Sequence, residues 1–389
     1  MTTALNKPLA TLALPPLGLY VHIPWCIKKC PYCDFNSHVS SDAIPETAYV
    51  DALIKDLKQQ LGWVQGRKLH SIFFGGGTPS LFSGRAISRI IEAAERLIGF
   101  CDAIEITLEA NPGSAEQARF NDYRKAGVNR LSIGIQSFGD QHLKRLGRVH
   151  DGHQAQRAIE AATMANFARI NIDLMHGLEQ QSAAQAINDL RTAIDAGVEH
   201  ISWYQLTIEP NTAFFSQPPP LPSDDRLADI QASGMNLLAE QGFQQYEVSA
   251  FAKANQVARH NVNYWEFGDY LGIGAGAHGK ITMAAEKTLI RSQKTRQPTH
   301  YLAQKQNAEN RYKAIPLVDR PMEFMMNALR LKNGVPIDYF AARTGLGSDS
   351  IAKPLRQLQS QGLLVTDPER IAASPLGYQF LNTLLQRFA

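Results

Sequence analysis

This sequence predicts an α/β fold, either a barrel or a doubly wound sheet, and three observations predict it. Short apolar or β-branched runs alternate with amphipathic helical stretches through the first two-thirds of the chain. Several runs, such as Ser71-Ile72-Phe73-Phe74, are nearly continuous in apolarity, as parallel strands covered by helices must be. The 389 residues suffice for two or three domains whose cores need no disulfide or metal staples. Periodicity alone does not choose between barrel and doubly wound sheet.

In chain order, the expected strands are Leu19–Ile23, His70–Phe74, Ala103–Glu109, Arg130–Gln136, Arg169–Met175 and His200–Leu206. Helical periods lie between them. Ala86, Ile87, Ile90, Ile91, Ala94, Leu97 and Ile98 keep three- and four-residue spacing, which lines one helix face. The prolines from Pro218 to Pro222 read as a stiff loop. After it come a helix from Asp224 to Gln241, a strand over Phe243–Ser249 and a glycine-rich segment from Gly268 to Gly279. From Pro316 the pattern turns helical: Met322–Lys332, Ile337–Thr344, Ser350–Ser360, a Leu363-Leu364-Val365 run and a last helix ending near Arg387. That order is winged-helix-like.

The net charge of +3 is too small for a phosphate-tracking surface. The helix that would read a groove has only Lys353 and Arg356 as cations, so no nucleic-acid partner is expected. A packing or substrate-covering module is the reading preferred for these helices. No run approaches the roughly 18 apolar residues of a membrane span. The stretch from Met1 to Pro16 lacks the basic start, full apolar run and cleavage site of a signal peptide. A cytoplasmic, reducing location is expected.

Cys26, Cys30 and Cys33 fall within eight residues, directly after the first expected strand. Thiolates are soft ligands for zinc or iron–sulfur clusters. Three thiolates leave one iron of a [4Fe–4S] cluster open to a ligand bearing an amine and a carboxylate. Zinc would need a closed fourth position, from His22 or His38. Gly75-Gly76-Gly77-Thr78-Pro79 ends the second strand, where glycines let the backbone approach a ligand. Polar residues stand at further strand ends: Glu109 with Asn111, Gln136 with Ser137, and Arg148 beyond; Asp173 lies within the fifth. Each also has a plain reading as a cap, a loop bond or an ion pair. Cys101 reads as a small buried hydrophobe.

The cysteine loop resembles the signature of the radical S-adenosylmethionine (SAM) superfamily. That resemblance implies a partial (β/α)6 barrel, a [4Fe–4S] cluster and SAM. Residues 1–16 are then a tail, 17–250 the barrel, 251–315 a connecting segment and 316–389 an α-rich winged-helix-like domain. The segments from Leu19 to Cys26, Gly75 to Pro79, Glu109 to Pro112, Ile135 to Phe138 and His260 to Trp265 resemble the oxygen-independent coproporphyrinogen oxidase group. The likeness implies that Cys26, Cys30 and Cys33 hold the cluster. It implies that Tyr20, Gly76, Gly77, Thr78, Glu109, Gln136, Arg148 and Asp173 contact SAM.

Two departures separate the chain from the decarboxylases of that group. Phe35 stands where they carry a fourth cysteine, and fewer than twenty residues precede Leu19. In both respects the chain is similar to the HemW-type heme chaperones. That likeness implies heme as cargo, respiratory hemoproteins as acceptors, an electron donor for the cluster and transient contact with a membrane protein. The alternative is a radical SAM oxidoreductase acting on a tetrapyrrole, such as a coproporphyrinogen III decarboxylase. His260, beside Tyr264 and Trp265, is either an axial heme ligand or a hydrogen-bonded loop residue among core aromatics. Met322, Met325 and Met326 read as core filling, with porphyrin contact as the second option.

Overall fold

Strand order decides between the two architectures. In a computed structural model, which describes residues 10–40, 43–303 and 311–389, six strands stand side by side in chain order. They are β1 (Leu17–Ile23), β2 (Leu69–Gly76), β3 (Phe100–Ala110), β4 (Arg130–Gln136), β5 (Arg169–His176) and β6 (His200–Gln205). All neighbours are parallel. A doubly wound sheet would reverse its order midway. A sheet wound in one direction by right-handed crossovers carries its helices on one face and curls the other inward. The result is the partial barrel.

The crossovers contain α1 (Glu46–Gln59), α2 (Gly84–Leu97), α3 (Gly152–Met164) and α4 (Ala183–Asp195); α5 (Asp224–Glu240) follows β6. Strand alternation separates the two faces. Leu19, Val21, Ile72, Phe74, Leu108, Ile133 and Leu174 pack in one core with Leu53, Ile87, Ile90, Ile159 and Leu190 of the helices. The alternate residues point inward, and many are polar: Glu109, Ser132, Asn171, Asp173 and Tyr204. α3 and α4 each begin with a capping box, Asp151 with Gln154 and Ser182 with Gln185. The proline-rich stretch is a loop, as expected.

Both edges of the sheet carry further strands, of which only the one expected over Phe243–Ser249 is announced by periodicity. β7 (Gln244–Glu247) and β8 (Ala250–Ala252) add antiparallel strands beside β6. On the other side, β9 (Asp269–Ile273) runs parallel to β1, and β10 (His278–Met283), β11 (Thr288–Gln293) and β12 (Arg311–Ala314) follow antiparallel. β9 lies within the glycine-rich segment, read above only as such. Gly272 is required there because a Cβ would stand 2.0 Å from the His278 carbonyl oxygen. Tight backbone approach replaces the apolar alternation that usually betrays a strand.

A buried ion cluster fixes β9. The Asp269 carboxylate accepts from Arg67 (2.7 Å), Lys280 (2.9 Å), the Thr282 backbone N–H (2.8 Å) and the Thr282 hydroxyl (2.9 Å). Burial alone would raise its pKa, but Lys280 and Arg67 outweigh burial and hold it below the usual carboxylate value.

A helix that was not expected, α6 (Arg259–Trp265), lies in the connecting segment, and the C-terminal helices α7 (Arg320–Ala328), α8 (Asp338–Thr344) and α9 (Asp349–Ser360) follow the expected order. Val335–Pro336 pairs with Arg370–Ile371 as a minimal wing. Phe324, Met325, Phe340, Ile351, Leu358 and Leu384 form a second core, which Leu12 also enters. Met322 packs against it, whereas Met326 is exposed. The expected terminal helix is two short ones, Pro375–Gln379 and Leu381–Leu385. Of the 1–16 tail, residues 1–9 lie outside the described residues. Cys101 corrects the reading given above: it is exposed at the outer start of β3, where residues 101–103 have left the core. Among the described residues no helix is long and apolar enough to cross a membrane.

Replacing Asp269 by Ala leaves Lys280 buried without its counterion. The expected loss is about 3–5 kcal/mol of unfolding free energy, measured by denaturant titration. A loss under about 1 kcal/mol, the usual worth of an exposed pair, would contradict this account.

Candidate functional site

The site begins with a backbone clamp at the carboxyl ends of β1 and β2. The Gly77 N–H donates to the Ile23 carbonyl (2.8 Å) and the Thr78 N–H to the Trp25 carbonyl (2.8 Å). Side chains would forbid this approach. A Cβ on Gly77 would lie 2.6 Å from the Trp25 oxygen, and one on Gly76, whose φ is +116°, would lie 2.6 Å from the His22 ring. The glycines therefore press β2's exit loop against the segment that leads into the cysteines. Trp25–Cys26 in turn pairs with His38–Val39, closing the cysteine loop on itself.

Within that loop Cys26 is buried and Cys30 and Cys33 are half-buried. All three line one cavity of about 410 Å³. The same wall carries Gly76, Gly77, Thr78, Glu109, Gln136, Arg148 and Asp173. Tyr20 lines the neighbouring cavity instead. Burial raises the thiol pKa of Cys26 and of Cys33, so thiolates there call for a positively charged partner. The Arg148 guanidinium lies 3.6 Å from the Cys30 sulfur.

Arg148 is held in place by its own donors. One terminal nitrogen bonds the Asn111 side-chain oxygen (2.7 Å) and the Gly134 carbonyl (2.6 Å), while Asn111 donates to the Thr78 hydroxyl (3.1 Å). Its Nε is buried without a partner among the described residues. An unsatisfied buried donor on a cavity wall is what an anionic ligand group would satisfy.

Gln136 adopts φ +71°, in the left-handed region, at a shift in the β4–β5 register. The kink presents its amide oxygen to the Tyr204 hydroxyl (2.7 Å). Two acids face the cavity nearby. Burial and the neighbouring Asp173 push the Glu109 carboxyl up to about 8. Burial likewise raises Asp173, although Ser132 (3.1 Å) and Asn171 (2.7 Å) donate to it. Asp173 is thus hydrogen-bonded rather than isolated. A cationic ligand between the two acids would relieve their mutual repulsion.

The zinc reading lacks a fourth ligand. Tyr20 donates to Nδ1 of His22 (2.8 Å), and Nε2 of His22 donates to the Asn36 carbonyl (2.9 Å), so both ring nitrogens are committed. His38 bonds the Arg296 carbonyl (3.2 Å). Among the described residues no three metal-binding side chains converge as a single-ion site. The cavity fits a larger group held by three sulfurs, with acids and Arg148 around its open side.

His260 lies elsewhere. It is buried in the first turn of α6, stacked on Phe73 at 4.2 Å, and lines neither cavity. Glu105 accepts from the Arg259 N–H (2.9 Å), the His260 N–H (3.2 Å) and the His260 ring (3.1 Å). Burial opposes ionisation of Glu105, but these donors and Arg130 hold its pKa well below the usual range. One turn later, Tyr264 and Trp265 line a second cavity of about 640 Å³. Gly76, Glu109, Asp34 and Phe35 line both cavities, so the two adjoin. Sequence reasoning missed Tyr204, which stands at a strand end where polar residues were sought. It also missed Tyr270 and Arg291, on strands whose periodicity is hidden, and Arg296 in the loop after β11.

Comparison with known proteins agrees with this geometry. Residues 20–193 match the model of the radical SAM superfamily, and residues 315–380 that of the HemN C-terminal domain. The heme chaperone HemW of Haemophilus influenzae is 48% identical over 96% of this chain and 98% of its own. That of Escherichia coli is also 48% identical, over 96% and 98%. The mitochondrial radical S-adenosyl methionine domain-containing protein 1 of Bos taurus is 34% identical over 95% and 86%. Among solved structures, coproporphyrinogen III oxidase (HemN) from Escherichia coli superposes with a TM-score of 0.79 at 24% identity. It covers 96% of this chain and 90% of that one, which establishes the shared fold.

A pH series tests the acid pair. The folded state keeps a proton on Glu109 that the unfolded chain releases, so stability falls between pH 4.5 and about 8 and levels above that. Glu109→Gln removes this loss. In thermal unfolding of the ligand-free chain, the variant should gain on the wild type as pH rises through that window. A pH-independent difference would contradict the raised pKa.

Proposed function

The chain belongs to the radical SAM superfamily and, within it, to the family of the heme chaperone HemW; from that membership we propose that it binds heme and passes it to apo-hemoproteins. The full-length 48% identity carries this reading. Oxidative decarboxylation of coproporphyrinogen III is not favoured: Phe35, 59% exposed, stands on the lining of both cavities where the decarboxylases carry a cysteine. Respiratory hemoproteins are the proposed acceptors, in the cytoplasm or at its membrane face, with a separate protein as electron donor to the cluster.

Cys26, Cys30 and Cys33 would hold a [4Fe–4S] cluster, whose fourth iron supplies a coordination site for the amine and carboxylate of SAM. The chain's own residues would do the rest. Arg148, with its unpaired Nε, would take the SAM carboxylate. Glu109 and Asp173, raised in pKa by burial, would face the positive charge and the ribose hydroxyls. Gly76, Gly77 and Thr78 would give the methionyl part close backbone approach, and Gln136, held by Tyr204, a fixed amide. Tyr20, bonded to His22 behind the glycine turn, would close the cavity from the neighbouring side. His260 would serve heme indirectly, by fixing the helix that presents Tyr264 and Trp265.

The test is anaerobic reconstitution of the cluster, then titration with heme and, separately, incubation with SAM and coproporphyrinogen III. Heme binding without decarboxylation is expected; conversion to protoporphyrinogen would contradict the proposal. Replacing Cys26, Cys30 and Cys33 together by Ala should abolish the cluster's absorbance after reconstitution.

A further inference from the structure

The larger cavity has walls suited to a flat apolar macrocycle. Tyr20, Phe73, Tyr264, Trp265 and Tyr270 line it. Its volume of about 640 Å³ lies within the range of sites that enclose one organic ligand. Heme needs more than an apolar slot. Its iron takes a neutral imidazole, and its two carboxylates take cations at the rim.

Three imidazoles on or behind its wall differ in what they have left to offer. His22 has both ring nitrogens engaged, by Tyr20 and by the Asn36 carbonyl. His260 bonds Glu105 and lies behind Phe73, off the cavity lining. His278 is exposed on the lining, at the first position of β10. Among the described residues no hydrogen bond engages its ring. Its partner in the β10–β11 ladder is Gln293, so the imidazole stands at the rim where β11 leaves the sheet. Three residues further on, Arg296 is exposed on the same lining, and its side chain makes one long contact, Nε to Asn36 at 3.4 Å. Arg291, by contrast, is held by Glu323 and Tyr270 and acts as a fixed charge in the wall.

We propose that this chain seats heme in the aromatic cavity with the His278 imidazole on the iron and the Arg296 guanidinium on a propionate. The inference rests on the heme-carrier reading above and assigns that cargo a site. Partial desolvation at the cavity mouth and the nearby Arg291 and Arg296 lower the His278 pKa, which favours the neutral ring with its lone pair free. The glycine-rich turn before β10 is closely packed: a Cβ on Gly276 would lie 2.1 Å from the Asn36 side chain, and one on Gly274 2.3 Å from the His22 carbonyl oxygen. Because Gly76, Glu109 and Phe35 line both cavities, the seated macrocycle would share a wall with the cluster's cavity.

The experiment is anaerobic titration of the cluster-reconstituted full chain with hemin, reading the heme absorbance bands and the affinity. His278→Ala should bind hemin about tenfold more weakly or worse, equivalent to about 1.4 kcal/mol. It should also shift the Soret band, and free imidazole should restore the wild-type band. Arg296→Ala should weaken binding and leave the bands in place. Because His278 and Arg296 are exposed, cluster content and thermal midpoint should match the wild type. A His278→Ala protein with wild-type bands and affinity overturns the assignment while leaving the heme-carrier reading intact. A wild-type chain that binds no hemin overturns both.

Discussion

Everything at the site depends on two backbone hydrogen bonds and the missing side chains that permit them. The Gly77 and Thr78 amides reach the carbonyls of Ile23 and Trp25, which joins the end of β2 to the segment leading into the cysteine loop. A methyl group at residue 77 would collide with the Trp25 oxygen, and one at residue 76 with the His22 ring. The thiol-bearing loop would then have no fixed floor. Positioning three sulfurs on a common wall is a matter of tenths of an ångström, and rigid backbone supplies this better than side chains can.

The second constraint is the polarity of the barrel's interior. Helix-facing residues of β1–β6 form an ordinary apolar core, whereas the inward face carries acids, amides and hydroxyls. These groups satisfy one another in depth, from Glu105 under α6 to Asn171 and Ser132 beneath Asp173. Toward the mouth the satisfaction runs out: Glu109 and Asp173 repel, and Arg148 keeps an idle donor. A cavity whose mouth carries two mutually repelling acids and an idle guanidinium donor is suited to a ligand bearing both signs. SAM, with its ammonium, sulfonium and carboxylate, is such a ligand.

Much of this was legible in the sequence, for physical reasons. β4 begins and ends where expected, at Arg130 and Gln136, because its apolar face alternates cleanly. The helix expected from Asp224 to Gln241 appears as Asp224–Glu240. Cysteine spacing and the glycine run were visible because each is a local pattern. β9 and β10 were not, since Gly272 to Gly279 carries close backbone approach rather than alternation. Cys101 was misread because a strand's first residues can lie outside the core that its later ones enter. His260 was singled out as a candidate heme ligand for its neighbours in sequence. In space its helix sends Tyr264 and Trp265 to the larger cavity and His260 back toward Glu105. Which cavity a residue faces depends on the register of strands far apart in the chain, and no local pattern contains that.

The most direct test of the central claim is electron paramagnetic resonance of the reduced, anaerobically reconstituted chain, recorded with and without SAM. If three thiolates leave one iron open toward the acid-lined cavity, SAM must alter the cluster's signal. A signal indifferent to SAM, or a purified chain holding one tetrahedral zinc in place of iron and sulfide, would contradict it.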